Sequence, residues 1–300
     1  MITVKVPATS ANVGAGFDAL GLALNLFNTV TFELAEKLSI SSADGTEIPT
    51  GTDNLVYHAA QTTFAFCNRP IPAMKIVQYN PIPMARGLGS SSACIVAGIL
   101  GANALMGSPL SDKEMLQLAT KIEGHPDNVA PALLGGFVAN VMDEGNVYSV
   151  KKEISEQLEF AAFIPDFPLL TEKARAVLPK TLPYQNAVYN LSRAALATAA
   201  FCDGNYELLG VATKDTMHQN YRLPLIPGGE EIFAMAKELG ALAVYVSGAG
   251  PTIMAVVRKS DEAFFASAKE WLKDAKQQGK QAGAFEIKHL LAANHGAVVK

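Results

Sequence analysis

The sequence predicts an α+β chain of two halves. Strand-like and helix-like segments are mixed along it but never settle into the regular β-α-β-α order of a doubly wound sheet. The chain has 300 residues, room for two domains at about 150 residues each. Hydrophobic residues make up 49% of it and charged residues 17%, which supplies a substantial core and excludes a disordered chain. The boundary is placed near residue 150, giving halves 1–150 and 151–300.

Each element follows from local pattern. Ile2, Val4 and Val6 alternate with polar neighbours, as in a half-buried strand. A second β-rich stretch runs from Phe27 to Ile40 and ends at Ser41-Ser42-Ala43-Asp44-Gly45. Asp53 or Asn54 caps a helix to about Phe66, and Met74–Tyr79 is a strand. Helices follow over Ser91–Leu105, over Asp112–Ile122 behind a Ser111 cap, and over Asp127–Leu134. Gly135-Gly136 ends that run, and strands Phe137–Val141 and up to Val150 flank a Gly145-Asn146 turn. The second half reads as a strand at Phe160–Ile164, helical segments at Thr171–Val177, Asn186–Phe201 and Glu230–Leu239, and strands at Val244–Val246 and Ile253–Val257. A helix from Asp261 to about Lys273 and a strand at Phe285–Lys288 close the chain. There is no internal repeat and no low-complexity segment.

The net charge is −4, from 24 Lys+Arg against 28 Asp+Glu, with no long basic run. That argues against nucleic acid or an anionic membrane as partner, while leaving room for a small anionic ligand at a local positive site. The three cysteines, Cys67, Cys94 and Cys202, show no metal-knuckle spacing and read as ordinary buried thiols of a reduced compartment. The amino-terminal residues are strand-like, not a leader, and no apolar run reaches membrane-spanning length. The expectation is a cytoplasmic protein.

Four stretches carry chemistry. Pro83-Met84-Ala85-Arg86-Gly87-Leu88-Gly89-Ser90-Ser91-Ser92 feeds an apolar helix. It matches neither a Walker A loop nor a dinucleotide fingerprint. It is either a turn with a helix cap, or a cradle in which successive N–H groups and the helix dipole attract phosphate while serine hydroxyls meet phosphate or Mg²⁺. Glu123-Gly124-His125-Pro126-Asp127-Asn128 packs two carboxylates, an imidazole and an amide into a helix start. Asp127 or Asn128 can cap that helix; Glu123 can instead supply an oxygen to Mg²⁺ if it faces the cleft of Ser91. His125 alone is as readily a hydrogen-bonded structural residue. Pro7-Ala8-Thr9-Ser10-Ala11-Asn12-Val13-Gly14-Ala15-Gly16-Phe17-Asp18 is a loop of small residues offering an amide at Asn12 and a carboxylate at Asp18. Ser247-Gly248-Ala249-Gly250-Pro251-Thr252 is either a hairpin turn or a second place where glycine amides approach phosphate. Arg175 and Arg222 lie in polar surroundings, where solvation is an arginine's usual fate.

In order along the chain, the three glycine-rich stretches resemble the three motifs of the GHMP kinases, with Ile82–Ala93 similar to the central ATP motif at nearly every position. Within the family the homoserine kinase branch is the nearest likeness. Pro7–Asp18 is similar to its first motif, and His125–Pro131 before Gly135-Gly136 points the same way. So do Thr171-Glu172-Lys173-Ala174-Arg175 with Leu178-Pro179, and Arg222 before Leu225-Ile226-Pro227. The resemblance spans about residues 1–257.

It implies a domain like that of ribosomal protein S5 followed by a ferredoxin-like one, and an ATP- and Mg²⁺-dependent kinase acting on L-homoserine. The product would be O-phospho-L-homoserine, on the route to threonine. It implies phosphates held by Pro83 to Ser92 with Gly248 and Gly250, adenine near Asn54 to Val56, and Mg²⁺ on Ser91 and Glu123. Homoserine's carboxylate would meet Arg175 and Arg222, its ammonium Asp18 and Asp127, with Asn12 and Thr171 completing the lining. Asp127 and Asn128 would be catalytic, Asn128 orienting the hydroxyl or Asp127 acting as base. A homodimer is implied by the resemblance alone. The rivals are a GHMP kinase for mevalonate or a related alcohol, a non-catalytic relative that binds nucleotide, and a redox or hydrolytic enzyme. The arginine pair with Asp18 favours an amino acid over the first, the joint presence of Ser91, Glu123 and Asp127 disfavours the second, and no fingerprint or nucleophile elbow supports the third.

Overall fold

The computed structural model describes residues 1–259 and 261–300. Its first half runs β1 (Ile2–Ala11), β2 (Leu20–Leu34), β3 (Ser39–Ser42), α1 (Leu55–Phe66), β4 (Met74–Tyr79), α2 (Ser90–Leu105), α3 (Asp112–Glu123), α4 (Pro126–Leu134), β5 (Phe137–Asp143) and β6 (Asn146–Lys152). Asn54 caps α1 by accepting from the N–H groups of Val56 and Tyr57, and Ser111 with Glu114 forms a capping box at the start of α3. Central to this half is α2, apolar on all sides and buried along most of its length.

Several strands differ in extent from the sequence-based expectation: β1 runs on to Ala11, so Pro7–Ala11 is strand and not loop, and the stretch expected over Phe27–Ile40 ends at Leu34, with β3 separate at Ser39–Ser42. β2 begins at Leu20, seven residues before Phe27. It pairs with β1 along its length, with β5 at Leu20–Leu22 and with β4 at Thr29–Leu34. Leu20 to Leu24 are buried on both faces, because α4 presses on the Gly21 side, where a Cβ would strike the Asp127 carbonyl. A strand covered on both faces shows no polar alternation.

The second half runs β7 (Leu158–Pro165), α5 (Thr171–Ala176), α6 (Tyr184–Asp203), the short helices α7 (Leu209–Ala212) and α8 (Gln219–Arg222), α9 (Gly229–Glu238), β8 (Ala243–Val246), β9 (Ile253–Arg258), α10 (Glu262–Gln277) and β10 (Phe285–Leu290). Its strands form an antiparallel sheet in the order β10-β7-β9-β8. With helices between its first and second and between its third and fourth strands, this is the ferredoxin-like arrangement that the resemblance implies. Every residue of β7 is buried. Phe160, Ala162 and Ile164 join the core of the first half, while Ala161 and Phe163 join a second core with Ile232 and Met235 of α9 and Phe264 and Leu272 of α10. The chain then returns, and β11 (Val298–Val299) pairs with β1. The α+β class stands.

Cys67 and Cys94 are partly exposed and Cys202 is exposed, all three free, so the expectation of ordinary buried thiols is corrected. Among the described residues no helix is long and apolar enough to cross a membrane.

Candidate active site

A cleft of about 360 Å³ opens where the two halves meet, lined by residues from all four chemistry-bearing stretches and by Thr171, Arg175 and Arg222. Its floor is the loop before α2. The helix cap is Gly89, left-handed at φ 70°, and no side chain caps the helix. Ala85 and Gly87 are left-handed too, at φ 52° and 75°, and alternation of this kind turns successive N–H groups to one side.

The carbonyls are held on the other side. Ala85 O accepts from the Leu169 N–H at 3.0 Å, Arg86 O from Thr252 N–H at 3.2 Å, Gly87 O from Ser247 Oγ at 2.6 Å, and Leu88 O from Thr9 N–H at 3.1 Å. Among the described residues, no protein acceptor meets the N–H groups of Ala85 to Ser92. At the head of a sixteen-residue helix they form a site for an anion.

Ser90 and Ser91 line the cleft, and Glu123, at the end of α3, accepts from Ser91 Oγ at 3.1 Å and Ser92 Oγ at 2.6 Å through its Oε1. Its Oε2 has no protein donor among the described residues. This is a hard-oxygen donor set of the kind Mg²⁺ takes together with phosphate oxygens and water.

The far end of the cleft is charged in both senses. Arg175 grips Asp18 with two bonds, Nη1 to Oδ2 at 3.1 Å and Nη2 to Oδ1 at 2.7 Å. Burial opposes that guanidinium's charge, but Asp18 prevails and raises its pKa. Arg222 is 2% exposed and has no carboxylate in ion-pair contact among the described residues. Its Nε donates to Ala174 O at 3.2 Å and its Nη1 to Gly248 O at 2.9 Å. Burial, then Arg175, lower its pKa to about 10 against the pull of Asp18, Asp127 and Asp215, so it stays cationic at neutral pH. Phe17 lies between the two arginines, its ring centroid 5.4 Å from the Arg175 guanidinium and 5.2 Å from that of Arg222.

His125, not Asp127 or Asn128, is the N-cap of α4, and Pro126 takes the first helical position. The capping role is therefore withdrawn from Asp127 and Asn128, whose side chains line the cleft. The His125 Nδ1 contacts Asp127 Oδ1. Burial works against charging His125, yet Asp127, Asp18 and Glu123 together raise its pKa. Asp18, His125 and Asp127 also bring one ligand atom each within 4.8 Å of one another.

Several expected positions take a different part. Asn54 and Val56 are buried in the first core. The Asn54 amide is committed to its helix cap, to Gln78 Nε2 at 3.0 Å and to Pro49 O at 2.8 Å. Gly248 and Gly250 border the cleft, but their N–H groups donate to Ala11 O and Ser247 O. Their turn braces Gly87 through Ser247 Oγ, and neither glycine N–H is free for phosphate. Arg86 borders the cleft, but its guanidinium is committed to the carbonyls of Pro165, Met84 and Asp166. Leu88 and Ser92 are buried, Met84 is exposed, and neither Met84 nor Pro83 lines the cleft. Asn12 lines it with a committed amide, donating to Gly248 O at 2.9 Å and accepting from the Asp18 N–H at 3.0 Å.

A buried network behind Arg222 escaped the sequence reading. Fully buried His218 shares a hydrogen through Nε2 with Gly14 O at 2.8 Å, which leaves Nδ1 to face Arg222 Nη1 at 3.3 Å. Burial and Arg222 keep this imidazole neutral by lowering its pKa. Asp215 accepts from the N–H groups of Met217, His218 and Gln219 and from Asn190 Nδ2. Its only sequence trace is a run of polar residues between two helices.

Known proteins share this architecture. The family model described as the GHMP kinases N terminal domain matches residues 54–136, and that described as GHMP kinases C terminal matches residues 197–274. A homoserine kinase of Clostridium beijerinckii is 50% identical over 274 residues, 91% of each chain. One of Moorella thermoacetica is 44% identical over the full length of both. The crystal structure of a homoserine kinase from Cytophaga hutchinsonii superposes with a TM-score of 0.88 at 28% identity, covering 100% of this chain and 97% of that one.

Proposed function

Because the chain belongs to the GHMP kinase family, and within it to the homoserine kinases, we propose that its cleft holds ATP on the Ala85–Ser92 loop and L-homoserine among Asp18, Asp127, Thr171, Arg175 and Arg222. The reaction moves the γ-phosphoryl group of ATP to the side-chain hydroxyl of L-homoserine, giving O-phospho-L-homoserine and ADP. The observation that carries the site assignment is the loop whose carbonyls are all turned to protein donors, leaving its N–H groups for phosphate.

The charges match the substrate. Arg222 offers its Nη2, which has no protein acceptor among the described residues, to the carboxylate. Arg175 flanks it, and Asp127 with Asp18 faces the ammonium. Ser91 and Glu123 would hold Mg²⁺, which when bound neutralises charge on the transferring phosphoryl group. The homoserine oxygen forms its bond to γ-phosphorus as the bond to the β,γ-bridging oxygen breaks. Asn128 and Asp127 orient the hydroxyl, and its proton passes to a phosphate oxygen. Residues 1–150 would carry nucleotide binding and 151–300 complete the substrate site. The enzyme would work in the cytoplasm as a homodimer.

ADP release is measured with L-homoserine, D-homoserine, L-serine, mevalonate and galactose. Selective turnover of L-homoserine is expected; preference for mevalonate would remove the amino-acid pocket while leaving the nucleotide loop. Asp127→Asn separates positioning from base catalysis. The expected result is a rise of about tenfold or more in the KM for homoserine with most of kcat kept, on the scale of one lost charged hydrogen bond. A fall in kcat of about 10³ with KM unmoved would make Asp127 the base.

A further inference from the structure

We infer that Thr9 is a positioning residue that fixes Asn128 as a hydrogen-bond donor toward the transferring phosphoryl group. The inference rests on the kinase reading above and assigns within it which end of the Asn128 amide meets the reacting atoms.

Thr9 lies on β1 and is fully buried. Its hydroxyl donates to Asn128 Oδ1 at 2.8 Å, and its own N–H donates to Leu88 O at 3.1 Å. Over this pair sits Gly89, where a Cβ would strike Thr9 Oγ1 and stand 3.3 Å from Asn128 Oδ1. Strand β1, the nucleotide loop and the first turn of α4 therefore meet at one point, and Thr9 bonds to both of the others. The Thr9 hydroxyl has one hydrogen, and it is given to Asn128.

A carboxamide has an acceptor end and a donor end. With Oδ1 held by Thr9, the Nδ2 of Asn128 is the end left for the cleft, and it has no protein acceptor among the described residues. An N–H aimed into the cleft beside the phosphate loop stabilises negative charge as it develops. It cannot accept the hydroxyl proton. Asn128 then acts on the charge of the phosphoryl group and its attacking oxygen, while the proton of the homoserine hydroxyl leaves by way of phosphate. Through Leu88 the same threonine sets the loop and the amide in one register.

The test uses the full-length enzyme with saturating ATP and varied L-homoserine, wild type in parallel, with melting temperatures recorded. Thr9→Val keeps the shape and removes the hydroxyl. Its kcat is expected to fall about 10- to 100-fold, part of the 10²–10³ that one transition-state donor contributes, with the KM for homoserine within about threefold. Thr9→Ser is expected to recover most of kcat, which a merely structural role for the threonine methyl would not allow. Asn128→Asp replaces the donor by an acceptor and is expected to lose about 10² or more in kcat.

A Thr9→Val enzyme with kcat within threefold of wild type overturns the inference, as does a loss that Thr9→Ser fails to repair. Should Thr9→Val not fold, Asn128→Asp decides: retained or raised kcat would mean that an acceptor works at that position. A wild type that turns over no homoserine removes the kinase reading and this inference with it. Normal wild-type turnover beside an unaffected Thr9→Val removes the inference alone.

Discussion

Replacing Arg222 with Met is expected to raise the KM for L-homoserine by about 10²–10³ while leaving that for ATP within about threefold. The reason is the unequal state of the two arginines. Arg175 already holds a carboxylate, that of Asp18, through both terminal nitrogens. Arg222 is buried against two carbonyls and a neutral imidazole. A buried guanidinium without a direct carboxylate is costly to keep, and a substrate carboxylate supplies the missing anion. Truncating one member of a buried charge pair costs about 2–5 kcal/mol of binding, roughly 30- to 4,000-fold at 1.4 kcal/mol per tenfold, and the expected factor lies in the middle of that range. Arg175→Met is expected to have a smaller effect, about tenfold, because its removal also releases Asp18. Initial-rate kinetics on both variants check this. An Arg222→Met enzyme with unchanged homoserine KM would remove the carboxylate assignment.

Gly89→Ala is expected to lower kcat/KM for ATP by about 10² or more. The residue sits at φ 70°, a conformation that L side chains adopt only with strain, and a methyl group there meets the Thr9 hydroxyl. Relief requires the head of α2 to move, which takes the loop N–H groups away from phosphate and pushes Thr9 off Asn128. Two sets of transition-state contacts are lost together, each of a size that alone is worth about 10²–10³. Calorimetric titration of the non-hydrolysable ATP analogue, with a melting curve to show that the variant folds, separates loss of binding from loss of chemistry. Nucleotide affinity and kcat both within threefold of wild type would mean that the loop does not hold phosphate in this way.

Much of this site was legible because its chemistry depends on residue types with few alternative uses. Gly87 and Gly89 before a run of serines, and Asp127-Asn128 at a helix start, are where they are for backbone conformation and for cleft-facing side chains, and short spacing reveals both. Glu123 is legible only on the condition that it faces the cleft of Ser91, a condition its bonds to Ser91 and Ser92 meet. What stayed hidden depends on partners far away in the chain. Arg86 reads as a phosphate ligand until Pro165 and Asp166 offer their carbonyls. Of the two caps the sequence offers, Asp53 and Asn54, Asn54 takes the role, which commits its amide and keeps it from the cleft. Gly248 and Gly250 resemble a second cradle, but their amides close a turn. His218 and Asp215 could not be singled out, since a lone buried histidine has no local signature. β2 was shortened because burial on both faces erases the alternation by which strands are recognised.

The carbonyls of Ala85, Arg86 and Gly87 are each held by a donor from the second half, respectively Leu169, Thr252 and Ser247. Swinging that half away would free these peptide units to rotate, and a rotated unit points oxygen where it had pointed hydrogen. Those three units would then turn oxygen toward the place proposed for the triphosphate and weaken its hold there. The junction of the two halves is thus a polarity lock for the front of the loop: the second half sets the Ala85, Arg86 and Gly87 units, while Thr9 of the first half sets Leu88.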